Sequence, residues 1–170
     1  LAIPILVVAI IIKLESRGPA IYYSKRVGKN KNIFLMPKFR SMKINTPQVA
    51  TNLLNNSKNY ITKFGNFIRK TSLDEIPQLF SILKGDMTFV GPRPALFNQT
   101  ELIELRKNGG LDQVLPGLTG WAQVNGRDKI SNAEKVALDL EYMCCKSFWF
   151  DIKILLITFV MVLKSADVSH

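Results

Sequence analysis

At 170 residues the chain is long enough for one domain with a real core and too short for two comfortable ones. It is 47% hydrophobic yet carries a formal charge of +10, a pairing unlike that of a simple soluble domain. Its only histidine, His170, is the last residue, and its two cysteines, Cys144 and Cys145, are adjacent. Ser-His and Cys-His nucleophile pairs, histidine-zinc hydrolysis and a disulfide framework therefore fall away, leaving carboxylates, lysine, arginine and a hard metal ion for any catalysis.

The charge is unevenly placed. Residues 1–70 hold 13 Lys and Arg against one acid, Glu15, whereas residues 71–170 hold 10 against 12 acids. The first part attracts polyanions: nucleic acid, anionic lipid headgroups or phosphorylated small molecules. The cysteines read as small apolar packing residues in a reducing compartment.

In chain order, "LAIPILVVAIII" is an uninterrupted apolar run, too short by itself to cross a bilayer. It reads as the tail of a spanning helix, a buried core helix, or half of a re-entrant or interfacial helix; Pro4 favours a bend and hence re-entry. Residues 20–42 predict a β-hairpin, with "AIYYSKRV" and "NIFLMPKFRSM" as strands and "GKNKN" as the turn. Residues 45–60 are polar and Asn-rich and read as a mobile surface loop. "TKFGNFIRKTS" predicts a short helix or turn.

"DEIPQLFSILKG" predicts a helix with an apolar stripe of Ile76, Leu79, Phe80 and Leu83, ended by Gly85. "ALFNQTELIELRKNGG" predicts a second helix and "VLPGLTGWAQVNGRD" a glycine- and proline-rich loop. "SNAEKVALDLEYMCCKS" predicts a third helix, opened by a capping box of Ser131 and Glu134. "SFWFDIKILLITFVMVLKSADVSH" predicts an apolar helix whose leading Phe148, Trp149 and Phe150 suit a headgroup-level anchor; a core helix fits its periodicity equally.

Two readings of Asp74 and Glu75 stand side by side. Ser72-x-x-Glu75 is a capping-box pattern, Asp74 complements a helix dipole, and Pro77 sits where a first turn tolerates it. The other reading is chemistry. Adjacent residues on a helix point about 100° apart, so one carboxylate can attack phosphorus while the other holds a hard cation between enzyme and phosphate. Arg93, fixed between Pro92 and Pro94, and Arg127, after a glycine-rich stretch, present guanidinium groups suited to phosphate; Lys38, Arg40, Arg69 and Lys70 add positive charge.

Taken in order, "KFRSM", "LDEIPQLFSILKGDMTFVGPRP", "PGLTGWAQVNGRD" and "SFWFDIKIL" resemble the bacterial sugar transferase family, the monotopic phosphoglycosyl transferases, over residues 5–164. The resemblance implies an α+β, mainly α, membrane-associated fold. Residues 1–17 would be a membrane-embedded helix, re-entrant or spanning, and residues 18–170 a catalytic domain with a small β-hairpin and an interfacial C-terminal helix. It implies transfer of a sugar 1-phosphate from a UDP-sugar to polyprenyl (undecaprenyl) phosphate, releasing UMP, as the first membrane step of glycoconjugate assembly.

By the same resemblance Asp74 is the nucleophile that carries the phosphosugar, and Glu75, with Asp74, binds Mg²⁺. Lys38, Arg69, Arg93, Arg127 and Asp151 match active-site or phosphate-contact positions. The implied partners are UDP-sugar, polyprenyl phosphate and membrane lipids, with no nucleic acid and with homo-oligomer formation left open. The implied place is the bacterial inner membrane, with the site on its cytoplasmic face. The competing class is a non-catalytic basic membrane module that binds anionic lipid or nucleic acid. That class explains the basic first part but not the acid pair or the ordered motifs.

Overall fold

The computed structural model describes residues 2–47, 59–126 and 130–167, with side chains over residues 3–47, 59–126 and 130–164. Helix α1 (Ala2–Glu15) is apolar on every side. One face, Val8 and Ile12 with Ile5 and Ala9, packs on Ala20, Phe39 and Ile68. The other leaves Ile3, Leu6, Val7, Ile10 and Leu14 in the open. It is therefore not a buried core helix. Pro4 lies within α1.

Strands β1 (Ile21–Val27) and β2 (Ile33–Phe39) form the expected antiparallel hairpin, with Tyr22 opposite Lys38 and Arg26 opposite Phe34. Its turn closes through Asn30 and Lys31 at positive φ. Ser24, Phe34 and Met36 alternate onto the buried face, whereas Tyr23, Ile33 and Leu35 face outward. Just past β2, Arg40 is buried and ties the hairpin to α1. Its Nη1 donates to the Arg17 carbonyl at 2.7 Å, and its Nη2 to the Ser16 carbonyl at 2.7 Å and to Ser16 Oγ at 2.8 Å. A guanidinium thus serves the unpaired carbonyls at a helix C-terminus.

Within the stretch read as a mobile loop, residues 48–58 lie outside the described residues. The two ends of that stretch are held together by Lys43 N–H to the Tyr60 carbonyl at 2.9 Å and Thr62 N–H to the Ser41 carbonyl at 3.1 Å. Helix α2 (Lys63–Lys70) follows. Thr62 Oγ1 accepts from Gly65 N–H, and Glu15 accepts from Phe64 N–H at 2.9 Å. The lone acid of the first 70 residues is spent on this cap. A Cβ on Gly65 would lie 2.0 Å from the Ser41 carbonyl oxygen, so only glycine lets α2 close on the hairpin.

The single helix expected after Ser72 is instead two pieces: a 3₁₀ segment, Leu73–Gln78, and α3 (Leu79–Lys84). Its apolar stripe is split: Ile76 packs against the core, whereas Phe80 and Leu83 are 63% and 84% exposed. Strand β3 (Thr88–Val90) pairs in parallel with β4 (Gly117–Thr119), inside the stretch read as a loop, and α5 (Trp121–Asn125) follows at once. A Cβ on Gly120 would lie 2.1 Å from the Gly91 carbonyl oxygen, so the two turns pack backbone on backbone.

Helix α4 (Thr100–Asn108) starts later than its periodicity suggests. The residues before it are engaged with β1: Val27 N–H bonds the Ala95 carbonyl at 2.9 Å, and Arg26 bridges Leu96. Helix α6 (Asn132–Cys145) opens with the expected Ser131/Glu134 capping box. Cys144 and Cys145 are exposed thiols, against the expectation that they pack inside.

Helix α7 (Phe148–Asp167) buries Ile154 beside Val90 and Tyr142, and leaves Phe148, Trp149, Leu156, Phe159 and Leu163 exposed. It too is two-faced rather than a core helix. Among the described residues no helix is long and apolar enough to cross a membrane. The fold is mainly helical around small sheets.

Candidate active site

The 3₁₀ segment packs against β2 and carries Asp74 and Glu75 into a cavity of about 500 Å³. With three residues per turn, neighbouring side chains diverge by about 120°, so the two carboxylates cannot face the same way. Ser72 sits in the left-handed region (φ 55°) and makes no side-chain cap, so the predicted capping box at Ser72 does not form. Glu75 turns instead to the hairpin and to the Pro-Arg-Pro corner. Its Oε1 accepts from Lys38 Nζ at 2.9 Å and from Arg93 Nη2 at 3.2 Å. Lys38 and Glu75 side chains are each 15% exposed, so this ion cluster is shielded from water.

Arg69, on the last turn of α2, also lines the cavity, and its charge is felt at Asp74. Burial pushes the Asp74 carboxyl above its ordinary range; Lys38, Arg69 and Arg93 pull it back, while Glu75 pushes it further up. Burial likewise lowers the Lys38 ammonium, and Glu75 opposes that. Both groups are drawn toward neutrality by desolvation despite their opposite-charge neighbours. They are poised for a ligand that changes the local charge.

The corner bearing Arg93 is pinned along its backbone. Gly117 N–H donates to the Pro92 carbonyl at 2.9 Å, and Val27 N–H to that of Ala95 at 2.9 Å. The Arg93 carbonyl accepts from Arg106 Nη1 at 2.6 Å, and the Pro94 carbonyl from Arg26 Nη1 at 3.0 Å. Four successive carbonyls are thus held by four donors. Arg106 is itself anchored by Asp139, whose Oδ2 accepts from Nη2 at 2.7 Å and from Nε at 3.2 Å; Asp139 is 1% exposed. The prolines stiffen the corner, and these donors aim it.

The structure therefore brings Lys38, Arg69, Asp74, Glu75 and Arg93 together. Arg127 lies outside the described residues. Asp151 lies elsewhere: its Oδ1 accepts from the Tyr142 hydroxyl at 2.8 Å, between α6 and α7, and it does not line the cavity. Arg40, read as added positive charge, is a structural tie. The motifs did not mark Arg26, Arg106 with Asp139, Gln99 or Lys135, and Gln123 lies within "PGLTGWAQVNGRD" without standing out there. Arg26 was findable, since strand alternation places it on one face with Tyr22 and Ser24; the Arg106–Asp139 pair spans 33 positions and leaves no local pattern.

A family model described as "Bacterial sugar transferase" matches residues 1–165. The chain belongs to the bacterial sugar transferase family. It is 42% identical over 159 residues to the UDP-glucose:undecaprenyl-phosphate glucose-1-phosphate transferase of Escherichia coli, covering 89% of this chain and 34% of that protein. It is 40% identical over 158 residues to the galactosyl transferase CpsE of Streptococcus agalactiae, covering 86% and 35%. It is 39% identical over 160 residues to the uncharacterized sugar transferase EpsL of Bacillus subtilis, covering 94% and 78%. The chain thus spans about a third of the length of the first two and most of the third.

Among the described residues no group of three or more His, Cys, Asp or Glu side chains could hold a metal by itself. The donor set at the site is the Asp74–Glu75 pair. Because the two side chains diverge and Glu75 Oε1 is engaged by Lys38 and Arg93, the fit to Mg²⁺ is that of a single carboxylate contact completed by substrate phosphates and water.

Proposed function

We propose that this protein is a phosphoglycosyl transferase that moves a sugar 1-phosphate from a UDP-sugar to undecaprenyl phosphate. Asp74 attacks the β-phosphorus of the UDP-sugar; the bond from that phosphorus to the bridging oxygen breaks, and UMP departs. An oxygen of the lipid phosphate then attacks the phosphorus of the aspartyl phosphosugar. The Asp74 carboxylate leaves, and polyprenyl diphosphate sugar is released. The two anionic substrates react in turn on one carboxylate, which makes the kinetics ping-pong.

The observation that carries this reading is the convergence of Asp74 with Lys38, Arg69 and Arg93 in one cavity. Cations around a buried carboxylate let it remain ionised beside phosphate and receive the charge that develops on the transferring group. Glu75 holds Lys38 and Arg93 in register. Asp74 and Glu75 would hold Mg²⁺, which when bound offsets the charge of the diphosphate. The relatives' names, which specify undecaprenyl phosphate and UDP-glucose or galactose, agree with this substrate pair.

The exposed apolar faces of α1 and α7, with Phe148 and Trp149 at the start of α7, suit seating in a lipid interface beside a membrane-borne acceptor. We place that interface at the cytoplasmic face of the inner membrane, where sugar nucleotides are made. The deciding experiment is to incubate the full-length protein with UDP-sugar, quench, and map the adduct by mass spectrometry. A phosphosugar on Asp74, discharged by polyprenyl phosphate, is the expected result; product formation with no adduct at that residue would overturn the covalent route. The rival reading, a basic binding module, expects salt-sensitive polyanion binding and no UMP release.

A further inference from the structure

The cavity runs along the inner face of the hairpin, because Tyr22, Ser24, Arg26 and Lys38 all line it. Its two ends differ in chemistry. The end at the hairpin base is walled by Pro19, Ile21, Met42 and Ile44, and Ile44 is 61% exposed. That end adjoins α1, through the Arg40 bonds to Ser16 and Arg17 and the packing of Ile21 and Phe39 against Val8 and Ile12. Toward Arg26 the cavity reaches Gln99, which accepts from the N–H of Leu96, the residue that bridges Arg26, and Gln123 on α5 and Lys135 on α6 complete the polar lining.

This far end holds polar groups with capacity to spare. The Lys135 residue is half-buried, and its ammonium makes no hydrogen bond or ion pair among the described residues. The neighbouring acid, Asp139, is already bound by Arg106. Gln99 accepts from Leu96 N–H through Oε1, so its NH₂ is what remains for a ligand. Gln123 donates from Nε2 to the Leu118 carbonyl, and its Oε1 is buried without a partner. A donor amide, an acceptor amide and an ammonium match a phosphorylated nucleoside whose base offers both a carbonyl and an imide N–H.

The reacting centre is not midway between the ends. Lys38, which marks it, pairs with Tyr22, one position from the base of β1, whereas Arg26 lies four positions further on. At about 3.3 Å per residue that leaves about 13 Å of strand toward the polar end and one residue toward the base. The long arm suits an extended nucleotide, and the short one suits a headgroup whose chain stays outside.

Resting on the proposed transfer reaction, we infer that the cavity is divided lengthwise: the end at Gln99, Gln123 and Lys135 binds the nucleotide half of the sugar donor, and the base end at Met42 and Ile44 admits the lipid phosphate with its first isoprene units. The departing UMP and the incoming lipid therefore use opposite ends and need not pass one another. Asp74 stands where the two paths meet.

The test uses the full-length protein in membranes and two separable readouts: isotope exchange between UMP and UDP-sugar without lipid, and transfer to polyprenyl phosphate. Lys135→Ala should weaken UMP binding and raise the UDP-sugar KM about tenfold, the loss expected for one charge-assisted contact, and move the lipid KM far less. Ile44→Ser should do the opposite, raising the lipid KM severalfold and the donor KM far less. The reverse pattern, or both variants moving both constants alike, overturns the division. Exchange by the wild type with Lys135→Ala indistinguishable from it removes the division alone. No exchange by the wild type removes the covalent reaction and the division with it.

Discussion

Two stretches of this chain carry the same pattern, a serine followed three places later by glutamate, and they meet opposite fates. At the start of α6, Ser131 Oγ accepts from Glu134 N–H at 3.2 Å and Glu134 Oε2 accepts from Ser131 N–H at 2.7 Å. Before the 3₁₀ segment, Ser72 is left-handed, caps nothing, and Glu75 reaches across to Lys38 and Arg93. The difference lies in what surrounds each glutamate. Glu134 faces water and its own backbone is the best partner it has. Glu75 faces two cations, Lys38 largely shielded and Arg93 partly so, and pairing them is worth more than closing an exposed cap. A capping pattern is a local offer that a buried charge can outbid.

The comparison can be broken most directly at the neighbouring carboxylate. Asp74→Asn should lower UMP release by about three orders of magnitude or more, the scale of losing a covalent nucleophile, whereas Glu134→Gln should leave the rate near that of the wild type. Comparable rates for the two variants would show that the diverted pair has no catalytic part. Glu75→Gln comes next. It should cut turnover about a hundredfold and raise the Mg²⁺ concentration needed for half-maximal rate, and a chelator should stop the wild type. Full activity in the absence of divalent metal would remove Glu75 from metal binding.

A smaller effect separates the two serines. Ser131→Ala should cost about 1 kcal/mol of stability, read as a fall in Tm, while Ser72→Gly should be neutral or slightly stabilising, since Ser72 caps nothing and sits at positive φ. Equal losses at both positions would mean that Ser72 has a role its geometry does not reveal.

The last contrast is in acidity. Serine hydrogen bonds hold Glu134 below the usual glutamate range, so its contribution is present above the unfolded-state value and is lost as pH falls through the lower folded value. Burial moves Asp74 the other way, so a metal-free titration by NMR should find it releasing its proton above the ordinary aspartate range of about 4. Lys38→Met should move it higher still, because the lysine is the largest charge pulling it down, and added Mg²⁺ should bring it back.

These contrasts also show what sequence alone discloses. The hairpin was legible because its two strands are rich in β-branched and aromatic residues and "GKNKN" supplies a turn between them. The acid pair and Arg93 were legible because the residue types and the proline frame are chemically unusual. Strands β3 and β4 were not, since three residues are too few for a period and their pairing depends on glycines meeting from distant parts of the chain. The stripe of Phe80 and Leu83 misled because a helical period marks an apolar face without saying what covers it. The clamp of Arg106 and Arg26 on the Arg93 and Pro94 carbonyls exists only after folding, when α4 and β1 converge on one corner.

Arg40 joins α1 to the end of β2, two residues from Lys38. With α1 seated in lipid as proposed, the bilayer becomes part of the active site's alignment: a change in lipid thickness that cants the anchor shifts the lysine at its far end. Catalytic rate then reports on the membrane's mechanics as well as on its chemistry.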